Sequence, residues 1–259
     1  MNTSSSSAGP IVFCDFDGTI TELDVTDCIL TRFADPAWRE IEQQWVRGEI
    51  GSRQCLEQQM GLVRASAKDL NALIDSVRLD PHFTEFYRLL RKSAIPFYVL
   101  SDGFDYVIRR VLRRAGLTGA LGNGFRLFAS SLRIDDARLL TSFPHPYAAC
   151  QHGCATCKPS VMRRLRAGYS PSIFIGDGLS DCFAVEESNL VFAKKRLLEY
   201  CRGKGMACIP FETFADIATA LTGLLGLGEA GTRRKGHKPV TKTPELGTLA
   251  TAIHPATLD

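Results

Sequence analysis

Short, continuously apolar segments recur along this chain, with amphipathic helical segments between them. They read GPIVFCDF from residue 9, IPFYVLSDG from residue 95, SIFIGDG from residue 172 and NLVFA from residue 189. Strands that are apolar throughout must be covered on both faces, which is typical of parallel sheets flanked by helices. The sequence therefore predicts an α/β fold with a Rossmann-like, mainly parallel sheet flanked by helices.

The stretch between the first two apolar segments has a different pattern. Over residues 21–80, apolar side chains recur at helical spacing and no strand pattern interrupts them. This insertion follows the carboxyl end of the first strand, where open parallel sheets bind their ligands. We expect a small all-helical cap over that edge of the sheet, with Trp38 and Trp45 packed inside it.

Changes in composition along the sequence indicate where the segments of the chain begin and end. The predicted organisation is a disordered leader at 1–10, an α/β core formed by 11–20 and 81–226, the helical cap at 21–80 and a flexible basic tail at 227–259. An alternating, glycine-punctuated stretch between residues 119 and 142 indicates a β-hairpin within the core.

Charge and hydropathy narrow the classes of partner. The formal net charge of +3 is too small to indicate a nucleic-acid or membrane-surface partner. No apolar run approaches the ~18 residues that a membrane span needs. The first residues lack the basic region of a signal peptide. We therefore expect a cytoplasmic protein, and these patterns leave its oligomeric state open.

Polar side chains cluster where the predicted strands end. Asp15 and Asp17 follow the first strand, Ser101, Asp102 and Gly103 the second, and Asp177 and Asp181 a third, while Lys158 opens the helix before that third strand. Because carboxyl ends of parallel strands share one edge of a sheet, we expect these groups to lie together. Converging carboxylates fit Mg²⁺, and a lysine with a serine fits a phosphate.

Each of these residues also has an ordinary interpretation. Asp-Gly is a common turn dipeptide, an aspartate early in a helix, such as Asp181, is favoured by the helix dipole, and most lysines are surface residues. The ordered combination of Asp15, Asp17, Lys158 and Asp177 is what favours a catalytic site.

The segments DFDGTIT, LSDG, CKP and GDGLSD resemble the four ordered motifs of haloacid-dehalogenase-superfamily phosphatases, and the match covers residues 11–225. The resemblance implies Asp15 as nucleophile and Asp17 as general acid and base. It implies Ser101, Asp102, Gly103 and Lys158 around the phosphoryl group, Mg²⁺ on Asp15, the Asp17 backbone carbonyl and Asp177, and Asp181 in support.

A cap after the first motif resembles the phosphoserine-phosphatase-like branch of that superfamily. Within the branch, IPFYVLSDG, the cysteine-rich approach to CKPS and FAKKRLLEYCR resemble phosphatases of methionine salvage. Asp24 is a candidate substrate contact there, or the N-cap of a helix. Asp102 departs from the pattern, because it places an acid beside the phosphate-binding serine.

A second cluster precedes Lys158. Cys154 and Cys157 have the C-x-x-C spacing that holds one side of a structural Zn²⁺ site, and Cys150 and His152, or His145, offer further ligands. The alternatives are a group of reduced thiols or a redox disulfide. A zinc ion would brace the loop that positions Lys158, apart from the catalytic ion.

These features leave several functions open. The leading prediction is a Mg²⁺-dependent phosphatase that hydrolyses a small phosphorylated metabolite through an aspartyl-phosphate. A phosphoserine-phosphatase-like hydrolase and a phosphotransferase need the same residues. A non-catalytic, zinc-bearing interaction module is the alternative from another class.

Overall fold

The computed structural model describes residues 9–117 and 126–227, and its centre is a seven-stranded sheet in the order β4-β3-β2-β1-β5-β6-β7. The strands are β1 (Ile11–Cys14), β2 (Phe97–Phe104), β3 (Arg126–Asp135), β4 (Arg138–Ser142), β5 (Ser172–Gly176), β6 (Leu190–Ala193) and β7 (Ile209–Pro210). All neighbouring strands pair in parallel except β3 and β4, which are antiparallel. This confirms the predicted α/β, mainly parallel architecture.

Helices cover the sheet and form the cap. They are α1 (Val25–Phe33), α2 (Trp38–Val46), α3 (Ser52–Gly61), α4 (Ala67–Ser76), α5 (Phe83–Lys92), α6 (Asp105–Arg114), α7 (Lys158–Leu165), α8 (Cys182–Val185), α9 (Lys195–Gly203) and α10 (Phe214–Leu225). Local sequence determines where two of these helices begin. The side chain of Asp24 caps α1 by accepting a hydrogen bond from the Asp27 amide, and the side chain of Ser66 caps α4 by accepting one from the Asp69 amide.

The position of β1 determines where a site can form. Its residues Ile11–Cys14 are fully buried, and it lies between β2 on one side and β5 on the other. The chain runs from β1 outward through β2, then returns to the other side of β1 for β5. This reversal leaves a crevice at the carboxyl ends of the three strands, where ligands bind in open α/β sheets.

The helical cap, residues 21–80, contains α1 to α4, and its two covalent connections to the core lie at one place. Thr21 forms a β-bridge with Leu79, the amide of Glu22 donates to the Arg78 carbonyl at 3.1 Å, and the Asp80 amide donates to Ile20 at 2.9 Å. The two connections therefore lie side by side. The all-helical character predicted for this insertion is confirmed, while its bounds as a domain stay a prediction.

Some elements are short. The segment at 207–211 forms only the two-residue β7, and a 3₁₀ turn, Leu179–Asp181, precedes α8. The predicted hairpin is β3 and β4, and β3 also extends the central sheet by pairing with β2. Residues 1–8 of the predicted leader (1–10), residues 118–125, and residues 228–259 of the predicted tail (227–259) lie outside the described residues.

In the part of the chain that the structure describes, no helix combines the length and apolar character that crossing a bilayer requires.

Candidate active site

A buried lysine joins the first and third polar clusters. Lys158 is the first residue of α7, and its side chain is fully buried. Its ammonium donates to Oδ1 of Asp15 at 2.7 Å and to Oδ1 of Asp181 at 2.5 Å, with Ser180 Oγ at 3.3 Å. Burial lowers the pKa of Lys158, but the two carboxylates outweigh it and raise that pKa well above its ordinary value. The lysine is a fixed positive charge.

The carboxylates of Asp15, Asp177 and Asp181 form a compact buried cluster, with one oxygen from each within 4.8 Å of the others. Asp181 also accepts the backbone amides of Asp177 and Gly178 at 3.0 and 3.1 Å, which fixes the turn after β5. Burial, and after it the negative charge of Asp181, raise the pKa of Asp15 well above its usual range. Such a set of oxygen ligands suits a hard divalent cation.

Asp177 is held from two further directions. Thr19 Oγ1 donates to its Oδ1 at 2.9 Å, and the ammonium of Lys195 donates to its Oδ2 at 2.9 Å. Lys195 also donates to the Gly18 carbonyl at 2.9 Å, so it ties α9 to the turn after β1. No sequence motif marks Lys195, because only the fold brings the start of α9 against this turn.

Asp17 lies between the cap and the second strand. Its Oδ1 accepts the amide of Val25, the first residue of α1, at 3.1 Å. A Cβ at Gly103 would clash with its other oxygen and would lie 3.1 Å from Ser101 Oγ. Gly103 is therefore small because Asp17 needs the space. Burial raises the pKa of Asp17 to about 7, and a carboxyl with such a pKa can donate and accept protons near neutral pH.

Ser101 is 1% exposed, and its Oγ accepts the Gly103 amide at 2.9 Å. The structure thus brings Ser101 and Gly103 beside Asp17, at the edge that also carries Asp15. The predicted phosphate-binding role of this loop stays a prediction.

A cavity of about 490 Å³ opens above these residues. Its floor includes Asp15, Asp17, Ser101, Gly103 and Asp177. Its upper wall comes from the cap and includes Trp38, Trp45, Leu56, Glu42 and Gln59, and Arg196 of α9 adds a cation. Both tryptophans, which we expect to pack inside the cap, also line this cavity.

Two predicted residues have contacts that explain their positions. Asp24 is the N-cap of α1, accepting the Asp27 amide at 2.9 Å, and it also lines the cavity, so both interpretations remain. The carboxylate of Asp102 accepts Ser52 Oγ of α3 at 2.5 Å and the Thr156 amide at 2.9 Å. It thus contacts the cap and the loop before Lys158.

The predicted zinc cluster finds no support. Among residues 9–117 and 126–227, only Asp15, Asp177 and Asp181 place ligand atoms close enough together to share one ion. In the loop, the ring of His152 stacks on the ring of Phe183, with 3.7 Å between the ring centroids. Cys150, Cys154 and Cys157 are free thiols.

The family of haloacid dehalogenase-like hydrolases matches residues 12–184, well over half of the chain. This chain belongs to that family. The prediction that the protein is a phosphoric monoester hydrolase is confirmed by this family and by its relatives.

Relatives of this family member include two proteins named 2-hydroxy-3-keto-5-methylthiopentenyl-1-phosphate phosphatase. One, from Geobacillus kaustophilus, is 30% identical over 82% of this chain and 94% of its own length. The other, from Bacillus cereus, is 31% identical over 83% of this chain and 97% of its own length. The hydrolase is thus similar to them along nearly their whole sequences.

Among solved structures, a phosphoserine phosphatase described as a phospho-aspartyl intermediate analogue has a similar fold. Its TM-score is 0.61 at 17% identity, over 81% of this chain and 97% of the other. At this identity the likeness supports the α/β fold with its helical cap and no more.

Proposed function

We propose that this hydrolase is a Mg²⁺-dependent phosphatase that acts through an aspartyl-phosphate on 2-hydroxy-3-keto-5-methylthiopentenyl-1-phosphate. The observation that carries the catalytic part is the buried ammonium of Lys158, bonded to Asp15 and Asp181 beside Asp177 at the floor of the cavity. A cation-binding acidic cluster next to a fixed positive charge can hold a phosphoryl group on two sides.

Asp15 and Asp17 divide the chemistry between them. An oxygen of Asp15 forms a bond to phosphorus while the ester P–O bond breaks, and the leaving alkoxide takes a proton from Asp17. Water then attacks the phosphorus and gives a proton back to Asp17. This step breaks the bond between phosphorus and the Asp15 oxygen, so that phosphate leaves and the Asp15 carboxylate is restored. The position of Asp17, two residues after Asp15 and against Gly103, supports this division.

The remaining residues hold charge and orientation. Lys158 and Ser101 bind phosphoryl oxygens in this proposal, while Asp181 orients Lys158 and the turn that carries Asp177. Mg²⁺, held by Asp15, Asp177 and the Asp17 backbone carbonyl, supplies charge neutralisation and Lewis acidity when bound.

The cap wall supports the choice of substrate. Trp38, Trp45 and Leu56 give the upper part of the cavity an apolar and aromatic lining. A methylthio-bearing chain would bury its apolar end there. The names of the two relatives point to the same ester.

A comparison of phosphate esters tests this proposal. Phosphate release is measured from the methylthiopentenyl ester, from phosphoserine and from simple alkyl phosphates, with Mg²⁺ and with EDTA. We expect the methylthiopentenyl ester to give the highest kcat/KM and EDTA to abolish release, with recovery on adding Mg²⁺ in excess. Preference for phosphoserine would contradict the substrate assignment, and EDTA-resistant turnover would contradict the metal.

Phosphotransfer to an alcohol uses the same residues and differs only in the acceptor. Adding glycerol to the assay distinguishes the two reactions, because a transferase would form glycerol phosphate at the expense of free phosphate.

Space at Gly103 gives a further prediction. Gly103→Ala is expected to lower kcat by about a hundredfold, because the new Cβ displaces the carboxyl of Asp17 and small misplacements have effects of that order. Gly223→Ala in α10 is the matched control, since a Cβ there meets no atom within 4 Å, and kcat should not change. Equal kcat values for wild type and Gly103→Ala would remove Asp17 from the proton-transfer role.

A further inference from the structure

The carboxylate of Asp102 joins three separate segments. Asp102 belongs to β2, Ser52 is the first residue of cap helix α3, and Thr156 lies in the loop that leads to Lys158. Ser52 Oγ donates to Oδ2 of Asp102 at 2.5 Å, and the Thr156 amide donates to its Oδ1 at 2.9 Å. Each carboxylate oxygen therefore binds a different segment.

The hydroxyl of Ser52 is used in both directions. It donates to Asp102 and accepts the Ala155 amide at 3.0 Å, in a position where Ser52 is 8% exposed. The chain of bonds closes a ring from β2 to the cap, from the cap to the loop and from the loop back to β2. A buried serine with its donor and its acceptor satisfied is costly to separate from its partners.

Backbone contacts continue this junction. The amide of Arg53 donates to the Gly153 carbonyl at 3.0 Å. Gly51 lies so close to the loop that a Cβ there would clash with the carbonyls of His152 and Gly153. The cap thus contacts the loop at a point where each segment has a glycine, Gly51 in the cap and Gly153 in the loop. The loop then leads directly to Lys158.

This junction is far in sequence from the place where the cap joins the sheet. The cap's covalent connections are at Thr21 and Leu79, whereas Ser52 is near the middle of its sequence. Cap helix α4 is held separately, since Arg110 of α6 pairs with its Asp75 at 2.7 Å and the Tyr106 hydroxyl donates to its Asn71 at 2.7 Å.

The contact at Ser52 restrains α3, the helix that carries the cavity-lining Leu56. Breaking the bonds of Asp102 would free the start of α3 and the loop before Lys158, while the bonds of Lys158 to Asp15 and Asp181 stay in place.

We propose that Asp102 is a positioning residue that latches the cap over the cavity and holds the Lys158 loop against it. The acid beside Ser101 thereby serves cap closure, and each of its two carboxylate oxygens accepts a hydrogen bond from a different segment. This inference rests on the proposed phosphatase function for its kinetic test but not for its structural one.

The kinetic test separates the latch from a general loss of fold. Asp102→Ala is expected to raise KM about tenfold, the size of one hydrogen bond to a charged group, with kcat changed less than about threefold. Ser52→Ala should give a smaller increase in the same direction. Asp102→Asn should fall between wild type and Asp102→Ala, because its oxygen still accepts the Thr156 amide.

A double-mutant cycle identifies the pair. If Asp102 acts through Ser52, then Ser52→Ala combined with Asp102→Ala should have the KM of Asp102→Ala alone. KM increases that multiply would show that the two residues act independently, and a fall in kcat at unchanged KM would place Asp102 in the chemistry instead. Either result overturns the latch.

Amide hydrogen exchange measures how firmly the junction is held, and it does not depend on enzyme activity. In Asp102→Ala, amides in peptides 51–56 and 153–158 should exchange faster, since both sides of the junction loosen together. Ser66→Ala is the matched control: Ser66 also opens a cap helix and donates to an aspartate, Asp69, at 2.6 Å, but within the cap. It should loosen only 66–70.

If peptides 51–56 and 153–158 of Asp102→Ala exchange at the wild-type rate, the latch is wrong, even if the variant is an active enzyme. Faster exchange there in a protein that releases no phosphate from any ester would instead leave the latch standing and remove the proposed function.

Discussion

Asp15→Asn is expected to abolish phosphate release, with kcat lowered at least about a thousandfold, because an amide cannot form the covalent intermediate. The fold should survive the change. Asparagine is nearly isosteric, its oxygen can still accept the ammonium of Lys158, and Asp181 still pairs that ammonium. The measurement is phosphate release under saturating Mg²⁺, with circular dichroism to check the fold.

Asp136→Asn provides the matched control for this substitution. Asp136 is exposed in the β3–β4 turn with φ 51°, a conformation that asparagine tolerates well. Its activity should equal that of wild type. Substantial turnover by a folded Asp15→Asn protein would show that water attacks the ester directly and that no aspartyl-phosphate forms.

Lys158→Met is expected to lose both activity and stability. The variant leaves Asp15 and Asp181 buried without their cation, and removing one partner of a buried ion pair costs about 3–5 kcal/mol of unfolding free energy. In a chain of this size that corresponds to a fall in Tm of roughly 10 °C. Turnover should fall at least about a hundredfold, because the phosphoryl group loses a fixed charge.

Mg²⁺ gives this experiment a second readout. A divalent cation among the orphaned carboxylates should restore part of the lost Tm, and the shift on adding Mg²⁺ should exceed that of wild type. Lys204→Met is the control, since Lys204 is an exposed residue at the end of α9, and its Tm should not change. A Lys158→Met protein as stable as wild type would mean that Lys158 does not compensate the buried acids.

Strand ends made the floor of the site predictable from sequence. Asp15 and Asp177 directly follow continuously apolar strands, and Ser101 follows the apolar run within β2, which continues to Phe104. The geometry of a parallel sheet brings such positions to one edge. Lys158 was located by its order among the motifs, and the structure brings its ammonium to Asp15. The roles of these residues stay predictions until the variants are measured.

Contacts between distant segments could not be read in the same way. Ser52 and Asp102 are 50 positions apart, and neither carries a local pattern that names the other. Lys195 reaches Asp177 because α9 begins beside the turn after β5, a consequence of packing. Helical periodicity likewise marks Trp38 and Trp45 as apolar-facing residues but does not distinguish a packed interior from the wall of a cavity.

The bridge between Thr21 and Leu79 has a consequence for how such enzymes diversify. Since the chain leaves the sheet and returns to it at neighbouring points, recombination could exchange the intervening helices for others while the strands keep their register. Chimaeras that graft a relative's helices between these two residues should therefore fold and acquire the donor's choice of leaving group.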